Sequence, residues 1–299
     1  MSTRLLAYFE LTLAMTIVGS SVIVGKVITG HFPIFLASSM RLAIGLPFLG
    51  LLTHRTGFDF RKLKTSDYVA LFLQAFTGVF LFNVLLLYAL DYTTATDSGI
   101  ITSMTPAIIG MISWLFLRER LSLGISGGIA LTVCGVLAIN VFGKAADANS
   151  GSAPLLGNLL VFGAVIGEAL FTILRKLTAE RIPPLAGATL VTFFGLLTFL
   201  PLGIYEASSF NFTHTTLSDV IIFAYYGIGV TMLAYILWFS GVEKVPASTA
   251  AVFTGVLPVS TIILSALLLG EQSTTAHLVG LICVLSGIGL IAWSESSGA

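Results

Sequence analysis

Glu168 stands near the middle of an uninterrupted apolar stretch, residues 155–178. A carboxyl group at that depth is costly unless it is paired or wetted. It can bind the ammonium group of a substrate, carry a coupling proton, or sit as a neutral acid bonded to a neighbouring helix. Arg41 lies about two turns inside the second apolar stretch. Its planar guanidinium matches a carboxylate, but a structural arginine that satisfies carbonyls or snorkels outward is the expected role. Glu10, near the end of the first stretch, reads as a solvated entrance residue, and Lys26 as a snorkelling one.

Two threonines form a second pattern. Thr102 precedes Pro106 by four residues, and Thr254 precedes Pro258 by four. A proline inside a helix removes the hydrogen bond to the carbonyl four residues back and kinks the rod. Each threonine then brings a hydroxyl beside a freed carbonyl, which must find a partner at membrane depth. Such a site can offer acceptors to an ammonium group, with Pro106 and Pro258 as hinges. Alternatively each hydroxyl bonds back within its own helix. Tyr225, Tyr226, Tyr235 and Trp238 give the eighth stretch an aromatic face, and Asn83 is the repeat partner of Tyr235. For Asn83 and Tyr235, lining a cavity and packing between helices both remain open.

The chain holds no G-x-x-x-x-G-K-[ST], H-E-x-x-H or G-x-S-x-G motif. The four histidines, His31, His54, His214 and His277, lie far apart in sequence. We therefore expect no catalytic residues, metal site or cofactor. Cys134 and Cys283 sit inside apolar runs and read as inert small residues.

These residues must be positioned by membrane helices. Of the 299 residues, 56% are hydrophobic and 9% charged, and mean hydropathy is +1.01. Soluble domains carry about a quarter charged residues, so the lipid bilayer is the expected solvent. A net charge of +0 argues against a nucleic-acid partner. Ten apolar stretches stand out, at about 5–28, 34–53, 66–90, 96–117, 122–141, 155–178, 184–203, 216–241, 247–269 and 274–293.

An offset of 152 positions lays Ala95, Thr102, Pro106 and Glu119 on Ala247, Thr254, Pro258 and Glu271. An offset of 150 lays Ala14, Lys26, Pro33 and Gly45 on Ala164, Lys176, Pro183 and Gly195. The expected domains are a first repeat over 1–142, a linker over 143–154 and a second repeat over 155–299. Five spans per half make the second half enter the membrane upside down, an inverted repeat around a central cavity. With the N-terminus inside, Arg4, Arg55, Arg61, Lys62, Lys64, Arg118, Arg120, Arg175, Lys176, Arg181 and Lys244 face the cytoplasm. That excess places both termini there. Glu119 and Glu271 each precede a helix and are expected to cap it, or to latch a gate, on opposite sides of the membrane. Gly124, Gly128, Gly135, Ala276, Gly280 and Gly287 mark the fifth and tenth stretches as a close helix–helix contact.

Val18-Gly19-Ser20-Ser21, followed by Lys26, Pro33 and Arg41, resembles the first-repeat pattern of the EamA-type drug/metabolite transporters. That pattern usually opens with Trp-Gly; Val18 stands in place of the Trp. Pro106, Pro258, Glu119 and Glu271 match as well, and the resemblance covers essentially the whole chain. It implies ten helices in two inverted five-helix repeats, with a cavity lined by helices 1, 3, 4, 6, 8 and 9. Within the family the chain most resembles bacterial amino-acid exporters of the YddG type. The expected site residues are Ser20, Ser21, Asn83, Thr102, Glu168, Tyr235, Trp238 and Thr254, with hinges at Pro106 and Pro258.

The resulting expectation is a secondary transporter of the bacterial inner membrane, a monomer or weak homodimer. It would export small metabolites, amino acids including aromatic ones, by alternating access. The alternatives are an uncoupled facilitator or an exporter of cationic drugs or other metabolites. An intramembrane enzyme would need paired carboxylates or a nucleophile–base pair at one depth, and the sequence offers none.

Overall fold

A computed structural model describes residues 3–29, 31–89, 92–93, 101–102, 104–138, 153–269 and 275–297. Glu271, residues 143–152 of the linker and the Lys26 side chain lie outside the described residues. Among the described residues all regular structure is helical.

Helix α1 spans Thr3–Thr29 and α2 spans Ile34–Arg55. Helix α3 covers 65–89 in three registers: α over Thr65–Gln74, π over Ala75–Leu81, and α again over Phe82–Ala89. Helix α4 covers 105–117, with a π turn over Ser113–Leu117, and α5 spans Leu123–Leu137. Then come α6 (Pro154–Thr178) and α7 (Pro184–Ser209). Helix α8 covers 217–244, with a π segment over Tyr226–Leu233. The chain continues as α9 (Ala247–Phe253), α10 (Val256–Leu269) and α11 (Thr275–Ser297). Among the described residues six spans are long and apolar enough to cross a bilayer: Ile34–Arg55, Thr65–Leu86, Leu155–Thr178, Pro184–Ser209, Leu217–Lys244 and Ala247–Leu264.

Both expected mid-helix prolines are placed differently. Pro106 lies in the first turn of α4, directly after Met104 and Thr105. Pro258 lies in the first turn of α10, after a break at Thr254–Gly255. A proline there forfeits no helical bond, because first-turn amides have no intrahelical partner. The Thr254 carbonyl, expected to be freed, instead accepts the Leu257 amide at 3.2 Å. The chain has broken its helix before each proline rather than bending a continuous one.

Small residues set the closest helix pairs. A methyl added at Gly287 of α11 would lie 2.8 Å from the Gly128 carbonyl of α5, and one at Gly135 would lie 2.8 Å from the Gly280 carbonyl. This is the glycine seam read from the sequence. Helices α2 and α7 meet through Thr53 and Thr189, whose hydroxyls are 2.7 Å apart. The largest buried cluster joins Leu11, Leu42, Phe199, Phe239 and Phe253, from α1, α2, α7, α8 and α9. Outward faces remain strongly apolar, as at Leu155, Phe116 and Leu267. Such faces suit contact with lipid tails rather than water.

Candidate functional site

The two π segments flank one cavity. Gly78, Phe82 and Asn83 come from α3; Tyr226, Val230, Ala234, Tyr235 and Trp238 come from α8. A π turn carries one residue more than an α turn and often marks a functional position. Gly78 is needed at that point because a Cβ there would overlap the Phe171 ring of α6. The neighbouring approach of α6 at Gly167 brings it against the Thr77 carbonyl. The extra residue in α3 is thus packed directly against the helix that carries Glu168.

The cavity holds about 230 Å³. Met15, Val18 and Ser21 of α1, Arg41 of α2, Glu168, Phe171 and Thr172 of α6, and Leu257 of α10 complete its wall. Helix α4 sends no residue to this wall, although Thr105 at its start donates to Glu168 Oε2 at 3.1 Å.

Five of the expected site residues share this space: Ser21, Asn83, Glu168, Tyr235 and Trp238. Ser20, Thr102 and Thr254 do not line it. Ser20 bonds the Ile17 carbonyl at 2.6 Å and the Tyr225 hydroxyl. Thr254, which caps the end of α9, donates back to the Ala251 carbonyl of that helix at 2.7 Å. Thr102 is helical and half-buried. Asn83 and Ser21 also spend one polar atom locally, on the carbonyls of Val79 and Val18, both at 2.6 Å.

Arg41 corrects the sequence reading. It neither satisfies carbonyls nor snorkels outward. It is 8% exposed, stands over the Tyr226 ring at 5.2 Å, and bonds the Thr231 hydroxyl at 3.4 Å.

Beyond Trp238 along the chain, the corner from α8 into α9 is fastened by α1, α6 and the α4–α5 connection. Lys244 Nζ reaches both Glu10 oxygens at 2.6 Å, and Ser240 also donates to Glu10. Glu10 is therefore an ion-pair partner rather than a solvated entrance residue. Lys176 of α6 donates to the carbonyls of Val242, Glu243 and Val245. Arg175 donates to the Phe239 carbonyl and to Glu243. Cations at the end of α8 complement its dipole and its last carbonyls.

Glu119 of the α4–α5 connection supplies the matching anion at the start of α9. It accepts the Ala247 amide at 2.8 Å, the Ser248 amide at 3.0 Å and the Ser248 hydroxyl at 2.7 Å. It was expected to cap the helix that follows it. That helix, α5, already has its own cap, since Ser122 accepts the Ile125 amide at 3.2 Å. Arg118 adopts a left-handed conformation, φ 54°, and turns Glu119 towards α9.

The helical fold and its apolar exterior define a multi-pass membrane protein with a cavity among its helices. The family model for the EamA-like transporter family matches the chain twice, over residues 5–141 and 155–293, and the chain belongs to that family. It is 47% identical to the uncharacterized transporter YetK of Bacillus subtilis over 282 residues, 94% of this chain and 85% of that one. An uncharacterized transporter of Archaeoglobus fulgidus is 26% identical over 77% of this chain and 80% of its own. One solved crystal structure has a TM-score of 0.80 across 96% of both chains at 17% identity, a likeness of fold.

Proposed function

We propose that the protein is a secondary transporter that exports small metabolites, amino acids foremost, across the bacterial inner membrane by alternating access. Ten membrane helices in two inverted repeats, over 1–142 and 155–299, enclose the cavity, with both termini cytoplasmic. The protein acts as a monomer or weak homodimer. The observation that carries this reading is the cavity itself. One acid, Glu168, one base, Arg41, and the amide of Asn83 converge there with the aromatic surfaces of Phe171, Tyr235 and Trp238. Convergent polar groups in an otherwise apolar pocket are the usual form of a small-molecule site.

The fastened α8–α9 corner is the cytoplasmic gate in its closed state. Lys244 lies at this corner, and Arg118, Arg120, Arg175, Lys176 and Arg181 stand in or beside the other loops that the positive-inside rule assigns to the cytoplasm. Glu10, Glu119 and Glu243 supply its anionic side.

Flux tests the proposal. Purified protein in proteoliposomes should move radiolabelled amino acids, and an imposed proton gradient should drive accumulation. Equal rates with and without the gradient would make it a facilitator. A protein that moves cationic drugs and no amino acid would overturn the substrate assignment.

A further inference from the structure

We infer that Arg41 is the carboxylate-binding residue of the cavity, and that its ligand is a small zwitterion whose ammonium group lies towards Glu168. The inference rests on the transporter reading and narrows its substrate.

The protein contains its own control for how a structural arginine is satisfied. Arg175 is 0% exposed, like a core residue. Its Nε and Nη2 donate to the Phe239 carbonyl at 3.2 Å, and its Nη1 donates to the Ile182 carbonyl at 3.0 Å. Nη2 also reaches Glu243 at 3.2 Å. Each nitrogen has a partner, and the charge has a counter-ion.

Arg41 is buried almost as deeply and is treated otherwise. Its Nε has no hydrogen-bond partner. Its Nη1 bond to the Thr231 hydroxyl is long, at 3.4 Å. The remaining neighbours are neutral: the Tyr226 ring below it and the Tyr235 hydroxyl beside it. Among the described residues no carboxylate pairs with it. An arginine cannot shed its proton to escape this position. A buried charge without a partner is costly, and such costs persist at sites where a ligand supplies what is missing.

The direction of the missing partner follows from the wall. Arg41 is the one residue of α2 on the cavity wall, its protein neighbours there are the neutral hydroxyls of Thr231 and Tyr235, and its Nε donor is left unused. A planar guanidinium with unused donors matches a planar carboxylate through paired hydrogen bonds. Among the described residues the other charged group on the wall is Glu168, whose carboxylate accepts from Thr105. An acceptor of opposite sign in the same space receives an ammonium group. At about 230 Å³ the cavity is smaller than the roughly 300 to 1,000 Å³ of drug-sized pockets. The rings of Phe171 and Trp238 are left to cover an apolar side chain.

Three probes separate the two ends: phenylalanine, its amide, which lacks the carboxylate, and 3-phenylpropionate, which lacks the ammonium. Wild-type proteoliposomes should carry phenylalanine at least tenfold faster than either. Arg41→Gln should lower phenylalanine flux at least tenfold and collapse the preference for the acid over the amide. Arg41→Lys keeps the charge without the planar fork and should keep a weaker preference for the acid. Thermal shift of the purified proteins gives a second readout. Phenylalanine should raise the Tm of the wild type and not that of Arg41→Gln, whereas the amide should treat both alike. Wild-type phenylalanine flux that persists in Arg41→Gln, or a loss of acid and amide in equal proportion, overturns the inference and leaves the transporter reading intact. A carboxylate-dependent Tm shift that requires Arg41, in liposomes that show no flux, supports the inference and sinks the transporter reading. If Arg41→Gln does not fold, an Arg41→Lys protein with no preference for acid over amide overturns the inference.

Discussion

The Glu119 carboxylate accepts the amide of Ala247 at 2.8 Å, across 128 positions of sequence. The residue before α9 is Pro246, whose side chain offers no acceptor. The start of α2 repeats the arrangement: Pro33 precedes it, and Glu206 of α7 accepts the Leu36 amide at 2.7 Å. In both places a proline fixes the entry to a helix and a distant carboxylate satisfies the orphan amides. Caps of this kind join helices that are not neighbours in the chain, so making or breaking one moves a helix end.

The first prediction concerns that cap. Replacing Glu119 with Ala should cost about 1 kcal/mol, the usual value of a lost N-cap, and up to about 2 kcal/mol because the lost charge also complements the helix dipole. Such a bias alters a two-state ratio about five- to thirtyfold. A cysteine placed at Val245 should therefore react faster with a membrane-impermeant reagent from the cytoplasmic side in Glu119→Ala than in the parent. Equal labelling would show that the cap does not hold the corner closed.

The second concerns Glu168. Glu168→Gln should lower transport at least tenfold or remove its pH dependence, with insertion and thermal stability unchanged. Thr105→Val removes a side-chain donor to the carboxylate and should have a smaller effect in the same direction. Normal flux at every pH in Glu168→Gln would leave the carboxyl group a structural role only.

The prolines give the third. Because Pro106 and Pro258 occupy first turns, alanine at either should change the unfolding midpoint little. Transport should fall more than substrate binding, since alanine lets the preceding helix continue across the break. Unaltered transport in both variants would remove the hinge role.

The fourth compares two glycines in one helix. Gly287→Ala drives a methyl against the Gly128 carbonyl and should destabilise by about 1 to 3 kcal/mol, the range for overpacking. Gly289 faces open space, with nothing within 4 Å of an added methyl. Gly289→Ala should be neutral or stabilise by up to about 1 kcal/mol through helix propensity. Thermal unfolding in one detergent settles both, and similar shifts would refute the seam.

The apolar spans were legible because hydrocarbon demands long uncharged runs; the sixth was expected at 155–178 and is found at Pro154–Thr178. For Asn83 and Tyr235 the sequence left cavity lining and packing both open, since depth alone does not separate them; in the structure they share one wall with Glu168 and Trp238. The partner of Glu119 was not legible, since a capping residue in sequence points only to the helix beside it. Nor was the neighbour of Arg41, because periodicity gives a depth and a face but not which helix packs there. The π segments left a faint signal: glycines stand mid-span in both stretches, Gly78 in one and Gly227 and Gly229 in the other. Whether such a glycine hosts an extra residue depends on what presses against it, and for Gly78 that is Phe171, 93 positions away.

Those two π segments have a consequence for helical phase. One residue added to a turn rotates everything beyond it by about 100°. In α3 and α8 the stripe of side chains on one side of the π segment is therefore out of step with the stripe on the other. Sliding the extra residue along either helix would swing Asn83 or Tyr235 around the axis while both helix ends stayed anchored in their loops. Chain length, rather than any single functional group, then sets which side chains face the cavity.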